Sequence, residues 1–419
     1  MTEATMGRRE RKKARTRQAI ADAALQLFLE RGFDEVTVKD VAEAADVSMS
    51  GLFKHFPTKE SLVFDQEDDV RAGIVSAVQD RPEGAPVLQV LRDWLLRYTC
   101  QKADDPRAAA FVDLIAGAPA LSDHARRMWL RYEQELAEAI HQAEPDGPGA
   151  SIAARAVARF VLDSAQPRQP HDPGADLDAA FTLLANGWPA PEMRAAQHDR
   201  PQNLVSGASL SPPTRPPGLR ERKKAQTRQA ITRAALDLFI ARGYDDVGVR
   251  EIADAADTSI ATLFTYFPDG KASLVFPGNR TDHIAALVHA VHHRTAGQTI
   301  LRAVHDHMAE RGPFAADLNP DELRALDLAR ATPELSDYAL RSWSAARDAL
   351  TTAITREAAL PHDDLSARLL ARYLLQIPDL ANSITGDARR TLDVITDLLE
   401  RGWPAGLTST PRLEGTTEH

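Results

Sequence analysis

Cysteine is nearly absent from this sequence, because Cys100 is the only one in 419 residues. A single cysteine cannot form a disulfide within the chain, so nothing calls for an oxidising compartment. No stretch approaches the ~18 consecutive apolar residues of a membrane-spanning helix. The N-terminus also lacks the apolar segment that defines a signal peptide. We therefore expect a cytoplasmic protein without a membrane segment.

Net positive charge, a common feature of nucleic-acid-binding chains, is lacking as well, since the net charge is -10. Two segments nevertheless concentrate basic side chains. Residues 8–17 carry seven positive charges and one negative charge, and residues 220–228 carry five and one. Such clusters on an acidic body attract phosphate locally. Each cluster taken alone is equally compatible with an ordinary solvated basic segment.

The strongest feature present is an internal repeat. Residues 9–57 align with residues 220–268 without a gap, and about 30 of the 49 positions are identical. Weaker matches continue to the end of each copy, where Gly187-Trp-Pro-Ala recurs as Gly402-Trp-Pro-Ala. A period of about 210 residues is too long for a solenoid or a propeller. It indicates duplication of a whole pair of domains.

Motifs of the common enzyme classes are missing from both copies. The chain has no Gly-rich phosphate loop, no Cys/His set with metal-ligand spacing and no nucleophile elbow. Histidines of the second copy invite a metal site, but their counterparts in the first copy include Val70, Ser76 and Trp94, so the repeated unit does not need one. We expect no enzymatic activity, no cofactor and no metal. The histidines are His283, His289, His292, His293, His305 and His307.

Apolar residues recur at three- and four-residue spacing throughout, and no run of alternating β-branched residues is present. We therefore predict an all-α fold of two tandem units, each a helix-turn-helix lobe followed by a helical sensing and pairing lobe. A Pro-rich stretch joins the units, and its composition predicts a linker. The predicted segments are 1–66 and 218–278 (helix-turn-helix), 67–190 and 279–405 (sensing and pairing), 191–217 (linker) and 406–419 (disordered tail).

A helix-turn-helix is predicted after Gly32, which suits the end of a first helix. Thr37 is a good N-cap for a short helix, and Asp46 tolerates the dihedral angles of a tight turn. Ser48 caps a second helix with Leu52 inward, and this helix then presents its other face outward. The alternative for an isolated segment is a plain helical hairpin of the core. Two copies, each preceded by basic residues, favour DNA binding.

This pattern resembles the DNA-binding lobe of the tetracycline-repressor (TetR) family, over about 50 residues in each copy. The resemblance implies a dimeric, ligand-responsive repressor acting on a double-stranded DNA operator. The motifs that carry it are Phe28-x-x-x-Gly32, Thr37-x-x-x-Val-Ala, Val47-Ser48, Leu52-Phe53-x-x-Phe56 and Lys59.

The resemblance also assigns roles to individual positions. Side chains in the groove select sequence, whereas phosphate contacts fix register. The base-facing positions are Lys39, Met49, Ser50, Gly51 and Lys54 in the first copy, and Arg250, Ile260, Ala261, Thr262 and Thr265 in the second. The phosphate-facing positions, including the basic clusters, are Arg8, Arg9, Arg11, Lys12, Lys13, Thr37, Phe53, His55, Lys59, Arg220, Arg222, Lys223, Lys224, Tyr266 and Lys271.

Several positions depart from the family's pattern. Asp46 and Asp257 stand where the family usually has glycine, and phenylalanine replaces the usual tyrosine at Phe53. Gly248 replaces the cap Thr37 in the second copy, which also inserts Gly270 before Lys271. We expect the second reading head to be the weaker one.

The sensing lobes contain aromatic residues that could line a pocket for an apolar or aromatic ligand. Core packing is the alternative use of each. The residues are Trp94, Tyr98, Phe111, Trp129 and Tyr132 in the first copy, and Phe314, Tyr338 and Trp343 in the second.

The last helices of each lobe carry apolar stripes in register, which predicts internal pairing of the two repeats through a four-helix bundle. The alternatives are stripes that only close each lobe's own core, or a two-chain assembly with four reading heads. The expected function is a ligand-released repressor that binds an imperfectly palindromic operator at the nucleoid. A ligand-independent DNA-binding protein, acting structurally or through a protein partner, is the competing hypothesis.

Overall fold

The computed structural model describes residues 8–65, 67–103, 108–143, 147, 149–164, 173–188, 219–276, 280–384 and 387–403. Within these ranges it contains nineteen α-helices and no β-strand, which confirms the predicted all-α fold. The predicted linker (191–217) and tail (406–419) lie outside the described residues. No helix in the described ranges is long and apolar enough to cross a membrane.

Packing divides the helices into two compact units, one within residues 1–181 and the other spanning residues 182–404. The helices that begin in the first unit are α1 (Arg8–Arg31), α2 (Val38–Ala44), α3 (Met49–His55), α4 (Glu67–Gln79), α5 (Val87–Ala103), α6 (Ala108–Gly117), α7 (Pro119–Ala143), α8 (Ala150–Ser164) and α9 (Pro173–Asn186). The last turn of α9 belongs to the second unit.

The second unit repeats this order. Its helices are α10 (Leu219–Arg242), α11 (Val249–Ala255), α12 (Ile260–Tyr266), α13 (Arg280–His292), α14 (Ile300–Ala309), α15 (Pro320–Ala331), α16 (Pro333–Ser344), α17 (Arg347–Ala358), α18 (Leu365–Ser383) and α19 (Ala388–Arg401). Short 3-10 turns lie at Glu60–Leu62, Lys271–Leu274 and Gly312–Phe314.

The first helix-turn-helix lobe is held together by the apolar stripe of α1. Ile20, Ala24 and Phe28 turn inward and are at most 1% exposed. Leu52 and Phe56 pack against them, both with 0% exposure. Burying each large apolar side chain contributes roughly 1.5–3 kcal/mol, so this cluster fixes α3 on α1. The second copy repeats the core with the corresponding residues of α10 and α12.

Each of these cores continues into the neighbouring helices of the same unit. Leu121 of α7 is fully buried against the first helix-turn-helix lobe. Leu335 and Tyr338 of α16 close the second lobe in the same way. The reading heads are therefore packed directly on the helices that follow them.

A buried ionic cluster joins α7 to α8. Glu133 is 2% exposed, and its two carboxylate oxygens accept hydrogen bonds from Arg155, at 2.8 Å, and from Arg159. Two arginines on one buried carboxylate satisfy its charge, and removing one partner from such a cluster typically costs about 3–5 kcal/mol.

Two equivalent turns end α9 and α19 and contact one another inside the second unit; we call them the Gly-Trp turns (Gly187–Trp188 and Gly402–Trp403). The backbone N–H of Trp188 donates to the carbonyl oxygen of Leu399 at 2.6 Å. The backbone N–H of Trp403 donates to the carbonyl oxygen of Leu184 at 2.7 Å. Leu184 and Trp188 precede Leu399 and Trp403 by the same 215 residues, so the contact is reciprocal.

Candidate nucleic-acid interface

The cap of α2 differs between the copies. Oγ1 of Thr37 accepts a hydrogen bond from the N–H of Asp40 at 3.2 Å, and the Asp40 carboxylate accepts from the N–H and hydroxyl of Thr37 at 2.8 and 2.6 Å. These hydrogen bonds lower the pKa of Asp40. The predicted N-cap is thus confirmed. At the same place Gly248 has no side chain, and Glu251 holds only its N–H, at 2.9 Å.

The turn between the two helices adopts the left-handed conformation predicted for it. Asp46 has a φ of 50° and Asp257 a φ of 49°. Asp visits this region more readily than most residues, although glycine would do so without steric cost. The departure from the family's glycine therefore preserves the turn.

The recognition helix α3 has one buried and one exposed face. Ser48 caps it by accepting the N–H of Gly51 at 3.1 Å, and Leu52 anchors the buried face. Of the predicted base-facing residues, Met49 is 39% exposed, and Ser50 and Lys54 are exposed on the same helix. Lys39 of α2 is also exposed and forms an ion pair with Glu43 at 3.6 Å.

The second recognition helix, α12, has a less polar outer face. Ser259 caps it by accepting the N–H of Thr262 at 3.0 Å. The hydroxyl of Thr265 donates to the carbonyl of Ala261 at 2.9 Å, so its proton is used within the helix. Ile260 is 37% exposed, and Ala261 and Arg250 are exposed as well. Lys54 thus has no cationic counterpart on α12.

The basic clusters are part of helices α1 and α10 rather than extended arms. Most of their described cationic side chains are exposed, whereas Arg17 and Arg228 are half-buried. The exposed ones are Arg9, Arg11, Lys12, Lys13 and Arg15 on α1, and Lys223 and Lys224 on α10. The side chains of Arg8, Arg220 and Arg222 lie outside the described residues. A helical cluster presents its charges at regular spacing, which suits the regular phosphates of a duplex.

One arginine of each cluster has a structural contact that the sequence did not reveal. Arg17 donates to the carbonyl oxygens of His55 at 2.7 Å and Asp65 at 2.8 Å, and its guanidinium lies 4.4 Å from the centre of the Phe56 ring. Arg228 repeats this by donating to the carbonyl of Tyr266 at 2.9 Å. In the sequence, the only sign of both arginines is that the motif Thr-Arg-Gln-Ala-Ile occurs in each copy.

Two of the lysines predicted to bind phosphate also contact residues within their own lobe. The ammonium of Lys59 donates to the carbonyl of Phe33 at 2.6 Å and lies 4.2 Å from the centre of that ring. Lys271 lies 4.1 Å from the ring of Tyr244 in the same way, so the inserted Gly270 leaves this lysine in an equivalent place. Both lysines stabilise the loop after the first helix, and a phosphate role for them stays a prediction.

The other residues that the sequence predicts to face phosphates lie at the end of each recognition helix. Phe53 is 46% exposed, and Tyr266 is half-buried. His55 is half-buried, and its Nδ1 has no hydrogen-bond partner among the described residues. Burial, and then the charges of Lys13 and Arg17, lower the pKa of His55. The neutral imidazole can donate one hydrogen bond to a phosphate oxygen.

The aromatic residues of the sensing lobes contact different partners. Phe111 packs edge-on against Phe64, and Tyr338 stacks on Phe276, so both lie against the helix-turn-helix lobes. Trp129 and Tyr132 contact each other on α7. Phe314 is buried, whereas Trp343 contacts His283 with ring centres 4.3 Å apart. Ligand contact by any of these stays a prediction. The described residues contain no group of three or more potential metal ligands.

Two capped helix-turn-helix lobes, each packed on a helical lobe, define a tandem helix-turn-helix protein. The sequence model described as "Bacterial regulatory proteins, tetR family" matches residues 20–65 and 231–276. The chain therefore contains the DNA-binding region of the tetR family twice.

Individual relatives share only part of their length with this chain. The HTH-type transcriptional regulator TcmR of Streptomyces glaucescens is 35% identical over 85 residues, which are 20% of this chain and 38% of TcmR. RutR of Escherichia coli (strain K12), also an HTH-type transcriptional regulator, is 32% identical over 124 residues, or 28% of this chain and 57% of RutR. The match thus spans between about two fifths and just over half of the length of these relatives.

A solved structure with some likeness is NalD, the secondary repressor of the MexAB-OprM multidrug efflux pump in Pseudomonas aeruginosa. It is 21% identical, and the match covers 40% of this chain and 94% of NalD with a TM-score of 0.31. A likeness at this level carries no argument about function.

Proposed function

We propose that this protein is a sequence-specific DNA-binding transcriptional regulator. The observation that carries the proposal is the pair of recognition helices, each capped, anchored by one buried leucine and exposed on the opposite face. A helix of this kind enters the major groove and reads base edges, while the basic residues of α1 contact phosphates. A chromosomal operator places this action at the nucleoid.

Footprinting on DNA that flanks the protein's own gene tests this proposal. The expected result is a protected site whose occupancy survives an excess of unrelated duplex. If an excess of unrelated duplex abolished the protection, sequence-specific recognition would be contradicted, because non-specific binding rests on phosphate charge alone.

We further propose that the two repeats of one chain pair with each other and occupy a single operator. The Gly-Trp turns support this pairing, since their two hydrogen bonds are exchanged by the same 215-residue shift. Such reciprocity is the property of an isologous, two-fold interface. Here both partners come from one chain.

The glycines of these turns support the same proposal. Gly187 has a φ of 73°, and a Cβ there would lie 2.4 Å from the carbonyl oxygen of Glu400. Gly402 has a φ of 79°, and its Cβ would lie 2.2 Å from the carbonyl oxygen of Ala185. Both distances are below van der Waals contact, so only glycine permits this approach on either side.

Because the paired recognition helices differ, the proposed operator is an imperfect palindrome with unlike half-sites. Lys54 can donate to guanine acceptors, whereas Ile260 and Ala261 favour contact with a thymine methyl group. The competing arrangement is a two-chain assembly with four reading heads, which would favour symmetric sites.

Release of DNA by a small ligand is the regulation that we propose. Each helix-turn-helix core includes residues of the following lobe, such as Leu121 in the first unit and Tyr338 in the second. A ligand that shifts these helices would change the positions of the reading heads. Ligand-independent DNA binding is the alternative, and thermal-shift screening against small aromatic compounds and small acids, followed by gel-shift assays, separates the two.

A further inference from the structure

The two sensing regions differ most sharply at one equivalent place between their first two helices. In the first copy, Trp94 and Tyr98 of α5 stack with ring centres 5.3 Å apart and planes 10° apart. Gly73 of α4 makes room for them, since a Cβ there would lie 2.9 Å from the Trp94 ring. This place is filled by aromatic side chains.

In the second copy, the residues 213 positions later are Ala286, His307 and Arg311. Nη1 of Arg311 lies 2.6 Å from Nδ1 of His307, so a guanidinium and an imidazole replace the two aromatic rings. His307 is 8% exposed, whereas Arg311 is exposed. The same backbone positions therefore carry an arginine beside a neutral imidazole.

A cleft of about 490 Å³ lies beside this pair, between α13 and α14. His289, His293 and Arg294 line its α13 side, and His307 and Arg311 line its α14 side. The rings of His289 and His293 stack with centres 3.8 Å apart. The cleft thus gathers five side chains that can donate hydrogen bonds to an anion.

The acidic residues of the cleft are engaged elsewhere or do not reach Arg311. Asp306 accepts hydrogen bonds from Gln298 and His305, both at 2.8 Å, and Arg294 is paired with Glu357. Glu310 also lines the cleft. Within the described part of the chain, however, Arg311 forms no ion pair with it or with any other carboxylate. Among the described residues, Arg311 contacts the imidazole of His307 and donates to the backbone carbonyl oxygen of the same histidine at 3.2 Å. Its guanidinium therefore retains its capacity for a carboxylate or phosphate.

The pKa of His307 is consistent with an Arg311 that no carboxylate neutralises. Burial, followed by the positive charges of Arg311, His283 and His289, lowers the pKa of His307 to about 4. No carboxylate offsets these charges at His307, although Asp306 and Glu310 lie in the same cleft. Arg311 is therefore the positive charge that an anion meets on this side of the cleft.

We propose that this cleft binds a small anion carrying a carboxylate or phosphate group, with Arg311 as its main partner. On this proposal the two copies bind different kinds of ligand, because the first copy has aromatic rings at the equivalent place. The inference rests on the proposed sensing role of this lobe and does not depend on which DNA the protein reads.

Calorimetric titration of the full chain with inorganic phosphate and with citrate, without DNA and at constant ionic strength, tests the proposal. We expect saturable binding of at least one anion, weakened about tenfold or more by Arg311→Leu and largely retained by Arg311→Lys, because about 1.4 kcal/mol corresponds to a factor of ten. Arg356→Leu is the matched control, since Arg356 is another exposed arginine without an ion pair in the described residues of the same unit. It should leave binding unchanged.

Two results would overturn the proposal. The first is the absence of saturable binding of either anion by the wild-type chain at millimolar concentration. The second is binding that Lys54→Ala weakens and Arg311→Leu does not, which would assign the anion to the DNA-binding surface. Gel shifts of the same variants keep the outcomes distinguishable, because loss of anion binding with normal operator binding would refute only this inference.

Discussion

The N–H of Trp188 donates to the carbonyl oxygen of Leu399 across 2.6 Å, and the duplicate of this bond, from Trp403 to Leu184, closes the same contact. The donor and acceptor of each bond come from opposite repeats. Trp188 is 3% exposed and Trp403 6% exposed, so the bonds are shielded from water. A short backbone hydrogen bond in a dry environment holds its partners in one register.

Gly187→Ala should therefore weaken the pairing of the repeats. Its Cβ would collide with the backbone at Glu400, in addition to the ~1–2 kcal/mol that a side chain costs at positive φ. Gly84→Ala is the control, because Gly84 has a φ of 78° but open space around it. We expect a clearly larger drop in melting temperature and in operator affinity for Gly187→Ala. Equal effects of the two variants would refute the role of the close approach.

Lys54→Ala should relax base discrimination in one half-site only. Loss of a good side-chain contact to a base edge typically costs about 1–3 kcal/mol at that base pair. Thr265→Ala should have a smaller effect in the other half-site, because its hydroxyl proton already bonds the carbonyl of Ala261. Binding selection from random DNA with each variant measures this. Equal losses in both half-sites would show that the two helices read alike.

Neutralising Lys12 and Lys13 together, as Lys12→Gln and Lys13→Gln, should weaken binding to all sequences about equally. Each phosphate contact contributes roughly 0.9 to the slope of log affinity against log salt, so two contacts would flatten it by about 2. Titrations at several salt concentrations give the slope. An altered sequence preference with little loss of affinity would mean that these lysines read bases.

Arg17→Leu is the contrasting variant within the same basic cluster. Arg17 is bound to two backbone carbonyl oxygens and packs on Phe56, so its loss should lower the melting temperature without DNA present. Hydrogen bonds from charged groups contribute about 1.5–3 kcal/mol each, less when partly exposed. The double lysine variant should leave the melting temperature nearly unchanged, which separates structural from phosphate-binding charges.

Acidification should destabilise the second unit through His307. Its pKa is lowered to about 4 in the folded chain and is near 6.5 when unfolded, so the unfolded state binds the extra proton first. Stability contributed by the neutral imidazole is complete above pH 6.5 and is lost as the pH falls toward 4, by roughly 3 kcal/mol at most. Denaturation at pH 7 and at pH 5 gives the loss of stability on acidification, which should be smaller in His307→Gln than in the wild-type chain. An equal loss in that variant would show that another group takes up the proton.

Local features of the fold could be predicted from the sequence because they depend on neighbouring residues. The caps at Thr37 and Ser48, the left-handed Asp46 and the positive φ of Gly32 all follow from a few adjacent side chains. The repeat strengthened each prediction, since the same pattern occurs twice. The all-α fold class follows from the same periodicity.

Contacts between distant residues could not be predicted in this way. The sequence showed that Gly187 and Gly402 recur, but not that each approaches the backbone of the other repeat. It placed Arg17 in the basic cluster of residues 8–17 without a structural role, because nothing in the local pattern reveals the carbonyl oxygens of His55 and Asp65. The bond from Lys59 to the carbonyl of Phe33 was missed for the same reason.

Pairing of the two repeats within one chain is the central claim, and the mass of the protein on its selected operator tests it most directly. Light scattering of the complex with the duplex chosen by random-sequence selection gives this mass. The account predicts one chain, of 45.8 kDa, on an imperfect palindrome with unlike half-sites. A stable two-chain particle on a perfect palindrome would contradict it.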